Sequence, residues 1–153
     1  VQLNRATDIS LRILMLAAAQ RRVLTIDALA DALNVPRNHV AKVVQRLQRQ
    51  GWLETTRGRG GGITLPEATL DVSVGLIVRH GERQTEVIAC EDPPCPLRTA
   101  CRLRSALRSA QEAFFAALDP LTLRDLLAEP TGPALLTLLP LRPAARAMSK
   151  QEV

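Results

Sequence analysis

The sequence predicts a mostly α-helical protein carrying one small β-hairpin, on three observations. Apolar residues recur at helical spacing along most of the chain. Aromatic residues make up only 2% of it, so the core must be Leu, Val, Ile and Ala. The one glycine-rich stretch lies between two short runs of β-forming residues. At 153 residues and 46% hydrophobic, the chain suits one domain with an appended arm, which excludes a large multidomain enzyme and a disordered chain.

Thr7 or Asp8 caps a first helix running to about Gln20, with Leu11, Leu14, Met15 and Ala18 on one face. Thr25 caps a second, where Ile26, Leu29, Ala30 and Leu33 fall at i, i+3, i+4 and i+7. Asn34-Val35 makes a tight turn, and Pro36 takes the first position of a third helix, where its missing N–H costs nothing. Val40, Val43, Val44 and Leu47 repeat the spacing, and Gly51 stops the helix. Two amphipathic helices joined this way form a helix-turn-helix.

With its apolar stripe turned inward, the third helix presents Arg37, Asn38, His39, Lys42 and Gln45 at the end that enters the major groove in this motif. Asn38 and Gln45 suit adenine, whereas Arg37 and Lys42 suit guanine or phosphate. His39 reads as a phosphate donor, a base reader or an inert surface residue. Next, Trp52–Thr56 and Ile63–Leu65 bracket Arg57-Gly58-Arg59-Gly60-Gly61-Gly62, the pattern of a β-wing. Arg57 and Arg59 are placed for the minor groove or the phosphate chain, and Gly60 permits close backbone approach. The loop lacks the Lys-Ser/Thr ending and following helix of a nucleotide-binding loop.

The charge has the same address. Residues 1–80 carry 11 basic and six acidic side chains, and residues 81–153 carry nine of each. The whole excess of +5 falls on the helix-turn-helix and wing, which points to double-stranded DNA. With so few aromatics, stacking on unpaired bases is the poorer match. No run approaches the ~18 apolar residues of a membrane span, and no signal peptide is recognisable, so a cytoplasmic location is expected.

In the second half, Ser73 opens a helix through Val74, Leu76, Ile77 and Val78, with Gly81 after its end. An irregular, proline-bearing stretch leads to a helix of about 18 residues starting near Cys101. Its Leu103, Ala106, Leu107, Ala110, Ala113, Phe114, Ala117 and Leu118 form a seam with steps of three and four. Such a seam packs against a second copy or back onto the chain's own first domain. A homodimer also suits a palindromic operator. Thr122 caps a short helix over Leu123–Glu129, and residues 131–153 read as a loosely ordered tail. The expected units are therefore a DNA-binding domain over 1–80, a cysteine loop over 81–100, a dimerisation region over 101–130, and the tail.

All three cysteines fall in one stretch as Cys90-x4-Cys95-x5-Cys101. An odd count in a cytoplasmic protein argues against a disulfide framework. The tight C-x2-C pairs of structural zinc are absent, and wider spacing on a proline-stiffened loop suits an iron–sulfur cluster. The basic neighbours Arg98, Arg102 and Arg104 would offset its negative charge. Neither histidine is close to this loop in sequence, so three thiolates leave the fourth ligand open. Free thiols, structural zinc and a small thiol oxidoreductase are the competing readings. No nucleophile–base pair or carboxylate dyad suggests an enzyme.

The segments Val1–Asp8, Arg37-Asn38-His39-x-x-Lys42, Arg57–Gly62, Cys95-Pro96-Leu97-Arg98-x-Ala100-Cys101-Arg102-Leu103 and Ala116–Thr122 together resemble the NsrR family of winged-helix iron–sulfur repressors, relatives of IscR. The resemblance spans roughly residues 1–135. It implies a homodimeric transcriptional repressor that senses nitric oxide through one cluster per subunit, [4Fe–4S] favoured over [2Fe–2S]. Nitrosylation of that cluster would abolish operator binding. It also implies Cys90, Cys95 and Cys101 as ligands, completed by Asp8 from the other subunit. The position three residues after the last cysteine holds Arg104, where IscR-type proteins have His, which argues against the IscR type; a redox- or iron-sensing [2Fe–2S] regulator is the alternative.

Overall fold

A computed structural model describes residues 2–82 and 86–139. Its first helix, α1 (Arg5–Gln20), begins earlier than its apolar pattern suggests, because Asn4 rather than Thr7 or Asp8 is the cap. The Asn4 carboxamide oxygen accepts the Thr7 N–H at 3.0 Å. Thr7 itself is wholly buried.

The helix-turn-helix follows as expected. Thr25 caps α2 (Ile26–Leu33), its Oγ1 accepting the Ala28 N–H at 3.1 Å. Asn34, in the left-handed region at φ 51°, ends α2. Pro36 is the N-cap of α3 (Arg37–Arg49) rather than its first residue, and its carbonyl accepts from His39 and Val40. Val40, Val43, Val44 and Leu47 are buried, and Gly51 stops the helix at φ 74°.

The wing is the antiparallel pair β1 (Glu54–Thr56) and β2 (Gly62–Thr64), with Thr55 opposite Ile63. Its base is anchored on both sides. Trp52 and Leu53 enter the core before β1, and Ile63 exchanges backbone hydrogen bonds with Leu24 at 2.8 and 2.7 Å. The hairpin therefore stands on a third extended segment, the link between α1 and α2.

A 3-10 turn at Glu67–Asp71 leads to α4 (Val74–Glu82). Ser73 caps it by accepting the Leu76 N–H, and donates its own hydroxyl to the Asp119 carbonyl at 2.9 Å. After the cysteine loop, α5 (Arg102–Leu118) packs on α4. The short helix expected over Leu123–Glu129 is only a 3-10 turn, Asp125–Leu127. Its start is a reciprocal box in which Thr122 N–H donates to Asp125 and Asp125 N–H to Thr122 Oγ1.

The tail differs from expectation. Thr131–Leu138 is a helix, α6, that packs on α1 with Leu135 buried. Gln20 and Arg22 also donate to the Leu135 and Leu139 carbonyls at 3.2 and 3.0 Å. Leu135, Leu136, Leu138 and Leu139 give this segment an apolar face that prolines at 133 and 140 conceal in a composition count. The rest of the tail, 140–153, lies outside the described residues.

The main core surrounds α1, where Ile13, Leu14 and Leu16 meet Leu29 of α2, Val40 and Leu47 of α3, Leu70, Ile77 and Leu123. Each fully buried aliphatic side chain contributes about 1.5–3 kcal/mol of transfer free energy. A second cluster, Val74, Val78 and Phe115, joins α4 to α5. Above it, Arg79 lies 4.7 Å over the Phe115 ring and bonds both Glu112 and Asp119. Those two carboxylates, Glu112 first, push the Arg79 pKa above its usual value.

Candidate nucleic-acid interface and cysteine loop

The outward side of α3 carries the residues expected to meet DNA. Arg37, Asn38, Lys42 and Gln45 are exposed, and His39 is half-buried. Two have partners already. Arg37 Nε donates to Asp27 Oδ1 at 2.6 Å, between side chains 65% and 68% exposed. A pair so open to water is worth at most about 1 kcal/mol and yields readily to a phosphate or base. The Asn38 Oδ1 accepts the His39 N–H at 2.9 Å, which leaves its amide N–H groups to point outward. In the wing, Arg57, Arg59 and Gly60 are exposed at the tip, and Gly60 sits at φ 77°, a conformation open to glycine.

The cysteine loop is built between α4 and α5. Cys90 is buried, and Cys95 and Cys101 are half-buried; all are free thiols. Successive turns shape the loop: Cys95 N–H donates to the Cys90 carbonyl at 3.0 Å and Arg98 N–H to the Cys95 carbonyl at 3.1 Å. Cys101 is the N-cap of α5, its Sγ accepting the Arg104 N–H at 3.4 Å. Burial raises the Cys90 pKa; Arg104 opposes this, while Cys95, Glu86 and Cys101 add to it. The sulfurs thus share one electrostatic neighbourhood.

Two further contacts had no signal in the sequence pattern. Arg104, at the position of the IscR-type His, makes two bonds to Glu86, at 2.8 and 2.9 Å, and reaches Glu91 at 3.4 Å. It ties the approach to the loop to the first turn of α5, and its hydrogen bonds hold the Glu86 carboxyl below the ordinary range. Asn4 donates from its backbone and its carboxamide to Glu82 Oε1, each at 3.0 Å, and from Nδ2 to the Gly81 carbonyl at 2.9 Å. Both pairs span long stretches of sequence, so only tertiary packing creates them.

Within one chain, Asp8 is paired with Arg12 at 2.8 Å, four residues on, and its side chain is 41% exposed. Among the described residues no group of three or more His, Cys, Asp and Glu side chains is arranged to hold a metal ion. The histidines are engaged elsewhere: His80 packs edge-on to Trp52 at 5.4 Å, and His39 lines a cleft between α1 and α3. Three free cysteine thiols on one loop are the donor type that holds iron–sulfur clusters.

Residues 3–129 match the model of the Rrf2 family, described as an iron-dependent transcriptional regulator. The chain belongs to the Rrf2 family. It is 54% identical over 142 residues to the HTH-type transcriptional repressor NsrR of Streptomyces coelicolor, covering 90% of this chain and 96% of that protein. The HTH-type transcriptional regulator NsrR of Bacillus subtilis is 38% identical over 131 residues, 82% of this chain and 90% of that one. Among solved structures, CymR of B. subtilis, described as the global cysteine regulator, aligns with TM-score 0.63 at 20% identity, over 82% of this chain and 95% of that one. IscR of T. potens aligns with TM-score 0.62 at 18% identity, over 83% and 86%. The expected winged-helix architecture is therefore that of this Rrf2 protein, which is a DNA-binding transcriptional regulator and not an enzyme. Among the described residues no helix is long and apolar enough to cross a membrane.

Proposed function

We propose that this Rrf2 protein is a homodimeric, cytoplasmic repressor whose hold on a palindromic operator is set by nitric oxide acting on an iron–sulfur cluster, one per subunit and [4Fe–4S] in type. The observation that carries this reading is the loop itself: three free thiols, one of them buried, sharing one electrostatic environment in a chain 54% identical to a repressor named NsrR. Cys90, Cys95 and Cys101 would hold the cluster, with Asp8 of the partner subunit as fourth ligand. With Asp8 as the fourth ligand, one iron would be the more weakly held and the natural point of attack by nitric oxide, because a carboxylate is a harder, weaker partner than a thiolate.

The chain's own residues support the rest. Arg104 lies against the loop and offsets thiolate charge, the partner that lowers the Cys90 pKa against burial. Asp8 has Arg12 in reach at 2.8 Å, so leaving a metal would be an exchange of partners and not the stranding of a carboxylate. Asp8 stands in the first turns of α1, which packs directly on α3. Reorienting α1 therefore reorients the helix expected to read the major groove. Loss of the fit between two half-sites needs only a small rotation. Dimerisation is supported by α5, where Phe115 is the one residue buried and Leu103, Ala106, Ala110, Ala113 and Ala117 remain exposed.

The test is an absorption spectrum of protein purified without oxygen, with iron and sulfide counted per chain. Four of each are expected, with the visible absorbance lost in Cys90→Ala, Cys95→Ala and Cys101→Ala. A colourless protein holding zinc would overturn the reading, and two of each would assign it to the [2Fe–2S] class.

A further inference from the structure

α1 and α3 do not close fully on one another at the start of α1. They leave a cleft of about 220 Å³ whose floor includes Ala6 and Ile9 and whose rim is Arg5, His39, Lys42 and Arg46. His39, Lys42 and Arg46 are spaced three and four apart, so they form a single stripe of α3. Arg5 faces that stripe from the first residue of α1.

The charges on this rim differ from those of several other described arginines. Arg12, Arg37, Arg79, Arg104 and Arg124 each stand within ion-pair distance of a carboxylate. Arg5, Lys42 and Arg46 carry no ion pair among the described residues. Three cations lining one small cleft, with no carboxylate among its lining residues, make a positive site that favours an anion. The apolar floor suits the sugar edge beside a phosphate.

We propose that this cleft seats a backbone phosphate of the bound duplex, gripped by Arg5 of α1 together with Lys42 and Arg46 of α3. The proposal rests on the DNA-binding reading above and adds α1 to the contact surface. Its consequence is mechanical. Arg5 and Asp8 lie three residues apart, on one turn of one helix, so any displacement of Asp8 carries a DNA contact with it.

The experiment uses the full chain purified without oxygen and a fluorescent duplex selected on it from a random-sequence library, with non-specific genomic DNA as a second probe. Arg5→Gln and Arg46→Gln should each weaken binding to both probes. Each should also reduce the slope of log K against log salt by about 1, as expected for one lost phosphate contact. Arg5→Lys and Arg46→Lys should restore the slope. Gln45→Ala serves as a control, expected to change sequence preference with the slope intact. Circular dichroism and cluster absorbance matched to wild type ensure that a folding defect is not read as a lost contact. Unchanged slopes in well-folded Arg5→Gln and Arg46→Gln, beside a wild type that binds tightly, would overturn the cleft proposal alone. A wild type that selects no duplex would overturn it together with the DNA-binding reading.

Discussion

Asn4 and Glu82 staple the start of α1 to the end of α4: both the backbone and carboxamide N–H groups of Asn4 donate to the same Glu82 oxygen, at 3.0 Å. The same asparagine caps α1 through its other amide atom. Asn4→Ala should therefore cost more than the ~1 kcal/mol of an ordinary N-cap. Asn4→Asp keeps the cap but sets two carboxylates face to face, and should also fall below wild type. Urea unfolding of both variants checks this, and a double-mutant cycle with Glu82→Ala should return a coupling of about 0.5–1.5 kcal/mol.

Gly81 stands where α4 crosses α1, and a Cβ there would run into the Thr7 side chain. Thr7 is buried, and among the described residues its hydroxyl has no hydrogen-bond partner. Gly81→Ala should force the helices apart at a cost of about 1–3 kcal/mol. Thr7→Ala in the same chain removes the two nearest colliding atoms, Oγ1 and Cγ2, so the double variant should recover part of the loss. Thermal unfolding of the single and double variants measures it.

The exposed face of α5 bears on assembly. Ala110 and Ala113 lie along a seam with little to pack on within one chain. Ala110→Glu or Ala113→Glu places a charge there without touching the Phe115 cluster. Light scattering should read a dimer for wild type and a monomer for either variant, with circular dichroism unchanged.

Asp125 accepts from the Thr122 N–H at 2.8 Å and the Thr122 hydroxyl at 2.7 Å, and these bonds lower its pKa. A carboxylate more acidic in the folded state stabilises the fold above its unfolded pKa of ~3.9 and loses that contribution as pH falls through the folded value. Wild type should therefore lose Tm more steeply than Asp125→Asn as pH falls below about 5. The two curves should converge at the acid end. Parallel curves would remove Asp125 from the acid response.

Much of this molecule was legible in its sequence because its signals are local. The apolar spacing from Ile26 to Leu47, Gly51 and the Arg57–Gly62 tip each fix their own backbone within a few residues, and the structure forms them accordingly. At the start of α1, Thr7 resembles a cap by type, whereas Asn4 takes that place and is held there by a partner 78 residues away. α6 was hidden because its order comes from docking on α1, a property of the partner surface. The cysteines were legible as a cluster of donors. The Glu86–Arg104 brace, joining the approach to the loop with the first turn of α5, was not.

In the proposed mechanism this Rrf2 protein holds DNA only while its cysteine loop holds a cluster. This is tested most directly by titrating anaerobically purified protein with nitric oxide while following visible absorbance and the anisotropy of a selected duplex together. Operator binding should fall in step with the cluster's absorbance, and Asp8→Ala should shift that response. Full operator affinity after complete loss of the absorbance would contradict it.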